Sequence, residues 1–382
     1  MSLASIVGAG MIPFGKHVNR SISDMAAEAV RLALADAGIP AAKLGIAFFA
    51  NAFGARLFGD LTMGQNALWD AGINRIPVVN VENACTSGST AFVLACNAVA
   101  SGQVDFALAV GSEKLCVPEL GLINSGATEL ETQLGLVAPA SFALRAMRYL
   151  DESGTTPAEL AAVAVKNRAH AALNPHAIFR APALTIEEVL ASAPVVDPLT
   201  KLQCCPNADG AAAVIVCSPA AARGFDRAVS VRSALLCTGS YENPQDLTHW
   251  ETDYRACRDA YERAGIGADD VDVVECHDAF TIAEVLHYEA LGLCDAGEGG
   301  RYAAAGHSAL GGRVPVNPSG GLLSRGHPAA ATGVAQLVEL VMQLRGEAGA
   351  RQVEGARIAV AQCMGGDKAG DTKSCTVAVL GG

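Results

Sequence analysis

Four short stretches of this chain carry residue types that do chemistry, and each sits at the end of a strand or the start of a helix. The first is Asn83-Ala84-Cys85-Thr86-Ser87-Gly88-Ser89-Thr90. The β-branched run Pro77-Val78-Val79-Asn80-Val81 precedes it, and the small-residue-rich Ala91-Phe92-Val93-Leu94-Ala95-Cys96 follows. That order reads as strand, tight turn, helix, with one thiol at the turn. A helix start offers Cys85 partial positive charge, which favours thiolate, and an activated thiolate is a nucleophile. The competing reading is a buried structural cysteine, a frequent fate of a free thiol.

The second stretch is Glu275-Cys276-His277-Asp278-Ala279-Phe280, where a polar pair closes an apolar run. The carboxyl end of a strand is where α/β proteins place their sites. The third runs from Asn317-Pro318-Ser319-Gly320-Gly321 to Ser324-Arg325-Gly326-His327-Pro328, a glycine-rich loop delivering His327 just before a helix. Glycine permits close backbone approach to a ligand, and proline suits the first helical turn. The fourth, Gln362-Cys363-Met364-Gly365-Gly366, reads as following the last long strand. Adjacent glycines there leave backbone N–H groups free to line an oxyanion hole.

The elements that must position these groups repeat. The amphipathic stretch Ala26 to Ile39, ending Ala37-Gly38-Ile39, leads into the strand Leu44 to Phe49. The stretch Tyr254 to Ile266, ending Ala264-Gly265-Ile266, leads into Val271 to Cys276. Glycine fits the left-handed residue that ends a helix. The Cys85 turn leads to a helix and the strand Val104 to Gly111, just as the His327 turn leads to a helix (Ala335 to Arg345) and the strand Ala356 to Ala361. Two copies of one α/β unit follow, with the Cys85 and His327 turns meeting at a pseudo-symmetric interface. Residues 1–116 and 206–227 form the first half, 228–382 the second, and 117–205 a mostly helical insertion.

Composition sets the outer bounds. The chain has 382 residues, 51% of them apolar and 17% charged, which predicts a large core and an oligomer. A net charge of −12 argues against nucleic acid or an anionic membrane as partner. No apolar run reaches the about 18–20 residues of a membrane span. No signal peptide and no Ser-Lys-Leu tail are evident, so the expected compartment is the cytoplasm. Twelve cysteines are scattered without any C-x-x-C pair, which predicts neither a zinc motif nor a disulfide framework.

Taken in order along nearly the whole chain, Asn83 to Phe92, His277 to Phe280 with Glu284 and Tyr288 to Leu293, Asn317 to Gly333, and Cys363 to Gly366 resemble the thiolases, most of all the sterol carrier protein type. The resemblance implies a five-layered αβαβα core of two repeated halves with an inserted helical loop domain. It implies acyl transfer between CoA thioesters: reversible Claisen condensation and thiolysis of 3-ketoacyl-CoA, with CoA and acyl-CoA as substrates and no bound cofactor or metal. Cys85 would be the acylated nucleophile and His327 its base. His277 and His327 would hold the enolate oxygen, and the N–H groups of Cys85 and Gly365 the oxygen of the tetrahedral intermediate. Cys363 would be the second acid/base. The sterol carrier type commonly has cysteine at the position of Ala279, whereas this chain has the Cys363-Met364-Gly365 pattern of ordinary thiolases. The resemblance also implies a homodimer or homotetramer. It leaves open an acyl acceptor other than CoA, and a thiolase-like aldolase working with a small OB-fold and zinc-ribbon partner.

Overall fold

A computed structural model describes residues 2–121, 126, 128–240, 246–368 and 370–382. Among them the strands of the main sheet are β1 (Ala4–Met11), β2 (Ile46–Ala50), β3 (Val78–Val81), β4 (Phe106–Lys114), β5 (Asp209–Cys217), β6 (Val229–Cys237), β7 (Val273–Glu275), β8 (Ile358–Lys368) and β9 (Asp371–Gly381). The main helices are α1 (Ile22–Ala37), α2 (Met63–Asp70), α3 (Ser87–Ala100), α4 (Ala138–Ser153), α5 (Pro157–Ala172), α6 (Glu251–Ala264), α7 (Thr281–Ala290) and α8 (Ala329–Leu344). The nine strands make one sheet in the order β3-β2-β4-β5-β1-β6-β9-β8-β7.

The repeat is visible in that order. β1-α1-β2 then β3-α3-β4-β5 in the first half corresponds to β6-α6-β7 then α8-β8-β9 in the second. An isolated parallel bridge from Val274 to Val316 stands where β3 pairs with β2. Helices α1 and α6 both end on a left-handed glycine, Gly38 and Gly265, as the two Ala-Gly-Ile turns predict. The halves are joined edge to edge, with Ala4 opposite Val231 and Ile6 opposite Val229 in antiparallel register.

Alternation along the strands builds the layers. Ala107 and Ala109 of β4, with Ala359 and Ala361 of β8, face a central core that contains Phe92 and Ala95 of α3 and Leu337 and Val338 of α8. Leu108 and Val110 face outwards onto α1 and α2, and Val360, Val377 and Val379 face outwards onto α6 and α7. The result is helix, sheet, helix pair, sheet, helix: the five-layered αβαβα arrangement. Residues with short side chains on the inner faces let the two central helices lie close to both halves of the sheet.

Two expectations are corrected. The segment Cys363 to Gly366 does not follow the last strand; it lies inside β8, with Gly365 opposite Ser374 of β9. The last strand is β9, whose apolar run Cys375 to Leu380 follows the polar start Thr372-Lys373-Ser374. The stretch after residue 117 is mostly helical but also holds a two-stranded hairpin, Pro194–Val196 against Leu199–Thr200. Residues 122–125 and 127 of the 117–205 stretch lie outside the described residues.

Candidate active site

The two central helices cross at their first turns, and glycine makes this close approach feasible. A Cβ on Gly88 would come within 2.2 Å of the Ala330 carbonyl oxygen, and one on Gly333 within 2.7 Å of the Ser89 nitrogen. The loops that enter α3 and α8 therefore meet, bringing Cys85 and His327 together across 242 residues of chain: Cys85 Sγ lies 3.3 Å from His327 Nε2.

The Cys85 turn is held by its own side chains. Thr86 Oγ1 donates to the Asn83 carbonyl at 2.7 Å, Ser87 Oγ donates to the Ala84 carbonyl at 2.6 Å, and the Asn83 N–H donates to Ser87 Oγ at 2.8 Å. Ala84 takes φ of 49°, a left-handed value that costs a residue with a Cβ about 1–2 kcal/mol. That strain turns the chain so that Cys85 faces the cavity just before the helix. The helix itself begins at Ser87, with Thr86 as its cap.

His327 is oriented from behind. Thr332 Oγ1 donates to the Pro328 carbonyl at 3.1 Å, so its lone pair accepts from His327 Nδ1 at 2.7 Å. The proton sits on Nδ1 and the bare Nε2 faces the thiol. The backbone of His327 is pinned to the 204–207 segment, its N–H donating to the Pro206 carbonyl at 3.3 Å.

His277 enters from the loop after β7, its ring edge-on to that of His327 with centroids 5.3 Å apart. Its N–H donates to Gln362 Oε1 at 3.1 Å, and its carbonyl accepts from His287 Nε2 at 3.1 Å. Asp253 closes this ring of contacts, accepting from His287 Nδ1 at 2.6 Å and from Gln362 Nε2 at 2.7 Å. His277 Nε2 is buried without a hydrogen-bond partner, a donor or acceptor left open for something in the cavity.

Cys363 and Gly365 reach the same turn from β8. Cys363 Sγ lies 3.5 Å from the Cys85 carbonyl oxygen, so it contacts the backbone of the nucleophile. A Cβ on Gly365 would come 2.9 Å from both the Asn83 oxygen and the Thr86 nitrogen. Neither neighbour can yield, because both belong to the turn that aims Cys85. Gly365→Ala should therefore lower stability by about 1–3 kcal/mol through overpacking and slow acylation of Cys85; thermal unfolding and an acylation time course check both. The structure thus brings together Cys85, His277, His327, Cys363 and Gly365.

The electrostatics correct one expectation. The helix start does not make Cys85 a resting thiolate. Burial, and then the nearby Glu113 carboxylate, push its thiol up to about 12. Desolvation penalises the charged form more than one helix end favours it. Burial and then the Arg325 charge hold His327 down to about 3. The resting pair is a neutral thiol beside a neutral imidazole. Burial also pushes the Cys363 thiol up and holds His277 well below the usual imidazole range.

Sequence reasoning missed Glu113, the buried carboxyl at the end of β4. Burial raises it to about 7, against hydrogen bonds from the Ala52 and Phe53 amides and Asn51 Nδ2. The available signal was an acidic residue closing an otherwise apolar strand. It also missed the aromatic wall of the cavity. Phe142 of α4 stacks on Phe280 at 4.3 Å and meets Trp250 edge-on at 5.9 Å. Phe280 closes the His277 stretch, but Phe142 and Trp250 come from distant segments, and no local signal pointed to those two. All three line a cavity of about 490 Å³ that opens onto Cys85, His277 and His327.

A sheet folded over two central helices, with a thiol and two histidines converging at their shared start, defines a thiolase site. Residues 4–220 match the family described as thiolase, N-terminal domain, and residues 236–381 match thiolase C-terminal domain-like. The chain belongs to the thiolase family of acyltransferases. It is 40% identical to an acetyl-CoA acetyltransferase of Methanothermobacter thermautotrophicus, over 95% of this chain and 96% of that protein. It is 38% identical to sterol carrier protein 2 of Homo sapiens, over 94% of this chain and 69% of that protein. Among solved structures it is similar to the Ltp2-ChsH2(DUF35) aldolase, with a TM-score of 0.84 and 26% identity over 99% of this chain and 97% of that one. No helix among the described residues is long and apolar enough to cross a membrane.

Proposed function

We propose that this chain catalyses reversible thiolysis of a 3-ketoacyl-CoA by CoA, through an acyl group carried on Cys85. The observation that carries the reading is the 3.3 Å approach of His327 Nε2 to Cys85 Sγ, with Nδ1 committed to Thr332. Cys85 Sγ attacks the keto carbon while His327 takes the thiol proton. The oxygen of the tetrahedral intermediate rests on the N–H groups of Cys85 and Gly365. The bond between the α-carbon and the keto carbon then breaks. Its electron pair goes to the departing acetyl-CoA enolate, whose oxygen His277 and His327 hold and whose carbon Cys363 protonates. The thiol of CoA finally takes the acyl group from Cys85, returning the thiol. Condensation is the same sequence reversed. No step requires a metal or a bound cofactor.

Cys85→Ala should abolish covalent labelling by acetyl-CoA, read by intact mass, while the protein stays folded; a variant that still acquires the acetyl group overturns the assignment. The insertion carries Phe142 into the cavity wall, so it is also the element that sets acyl chain or acceptor. The division into halves at 1–116 with 206–227 and at 228–382, around the 117–205 insertion, is part of the same proposal, as are a cytoplasmic location and a homodimer or homotetramer.

The likeness to an aldolase whose name includes a second component favours one further reading: a lyase subunit working with a small OB-fold partner. Cys85 beside His327 supports acyl transfer over it. Retro-aldol turnover that survives Cys85→Ala and needs an added partner, seen by sizing, would establish the lyase instead.

A further inference from the structure

The three groups at the bottom of the cavity are also a ligand set. Cys85 Sγ and one ring nitrogen from each of His277 and His327 all lie within 4.8 Å of one another. His277 Nε2 is buried and has no hydrogen-bond partner, and His277 is 6% exposed. His327 is held by Thr332 Oγ1 on Nδ1 at 2.7 Å, which leaves Nε2 to bear the lone pair. An imidazole oriented by a hydrogen bond on its other nitrogen is the usual arrangement of a metal-binding histidine. We propose that Cys85, His277 and His327 form a binding site for Zn²⁺ that is open only while Cys85 carries no acyl group, and that metal bound there stops turnover.

The geometry suits zinc. Bonds of about 2.3 Å to sulfur and about 2.0–2.1 Å to nitrogen put tetrahedral ligand atoms about 3.3–3.6 Å apart. The Cys85–His327 pair is already at 3.3 Å. With every separation at most 4.8 Å, His277 needs to close by no more than about 1.5 Å, within the reach of a small side-chain rotation. One sulfur and two imidazole nitrogens are a borderline-soft donor set that selects zinc over magnesium or calcium. Three protein ligands leave the fourth position facing the cavity, open to water or a thiol. Cys363 stays outside the set, since its sulfur is turned to the Cys85 carbonyl oxygen at 3.5 Å.

Uptake involves no redox change. Zn²⁺ replaces the thiol proton of Cys85, which passes to solvent, and forms bonds to sulfur and the two nitrogens. The metal then holds the sulfur lone pair needed for attack, the base that frees it and the donor for the enolate oxygen. An acyl group on Cys85 removes the thiolate ligand, so acylation and metal binding exclude one another.

The test uses the whole chain, stripped with a chelator and then dialysed against Zn²⁺ alone. We expect a single equivalent retained per chain, and a cobalt–thiolate charge-transfer band when Co²⁺ replaces zinc. Cys85→Ser, His277→Gln and wild-type protein acetylated with acetyl-CoA should each lose both signals. The acetylated protein carries no substitution, so its result does not depend on a variant folding. With free Zn²⁺ at about ten times its Kd, mass action leaves about one chain in eleven metal-free, so turnover should fall about tenfold and return on adding EDTA. Wild-type protein that retains no zinc overturns the proposal, as does retention undiminished in both variants, which would place the metal on other thiols. Metal content is read without any assay, so failure here is distinct from failure of the proposed reaction.

Discussion

Replacing His327 by Asn should slow acylation of Cys85 by about 10²–10⁴, the usual contribution of a positioned general base. Asparagine keeps a polar group near the thiol but cannot take its proton. The effect is large because the resting thiol is far from ionised, pushed up to about 12 by burial and Glu113. His327, held down to about 3 by burial and Arg325, is equally far from holding a proton at rest. Proton transfer from sulfur to Nε2 therefore becomes favourable only as the attacked carbonyl withdraws the sulfur's electrons. The 3.3 Å contact and the Thr332 hydrogen bond on Nδ1 make that transfer a short movement along a prepared line. The same values set the pH dependence. His327 has its pKa lowered, so its basic form is complete well below neutrality; Cys85 has its pKa raised, so it remains a thiol well above it. Single-turnover acylation should then be flat from about pH 5 to about pH 9. An acidic limb near an ordinary imidazole pKa would contradict this account.

Lys166→Met should cost about 3–5 kcal/mol of stability, the penalty for stranding one member of a buried ion pair. Lys166 comes from α5 in the insertion and pairs with Glu284 of α7, with side-chain exposures of 7% and 0%. Burial alone would raise the Glu284 carboxyl; the Lys166 charge and the hydrogen bonds from Lys166, Tyr288 and Asn167 hold it below its ordinary value. Removing the lysine leaves that buried carboxylate with neutral hydrogen-bond donors but no opposite charge. Glu284 also accepts from Asn317 Nδ2 at 2.8 Å, and Asn317 Oδ1 in turn accepts from the Cys276 N–H at 2.9 Å. The pair therefore connects the insertion to the residue before His277, and activity should fall along with stability. Urea denaturation measures the loss. The double variant Lys166→Met with Glu284→Gln should recover much of it, because no charge is then left unpaired. A loss below about 1 kcal/mol in the single variant would show that water reaches the pair, as at an exposed salt bridge.

The local parts of the site were legible because they depend on neighbours in sequence. Helices α1 and α6 follow their apolar period and stop at a glycine that can take a left-handed conformation. The Cys85 turn sits between β3 and α3 as its β-branched and small-residue flanks require. The duplication was legible too, since two copies of the same helix–turn–strand pattern recur in order. Less legible was anything made by contact across the copies. Gly365 reads as loop backbone in a glycine pair, yet it lies in a ladder, and its lack of a Cβ admits the Asn83–Thr86 turn. Phe142 and Trp250 carry no local mark of their place in the cavity wall, and Glu113 shows only an acidic residue closing an apolar strand.

By itself, then, the sequence determined a duplicated α/β chain in which Cys85, His277 and His327 each stand at the start of a helix or the end of a strand. Only the tertiary structure decided their charge state and their partnership. Which turn Cys85 meets depends on the close crossing of α3 and α8 at Gly88 and Gly333. Whether it rests as thiol or thiolate depends on how much water the folded chain removes. A helix end is a local feature that can be read from residues; desolvation is the sum of every neighbour, and here it outweighs the helix end and leaves Cys85 waiting for His327.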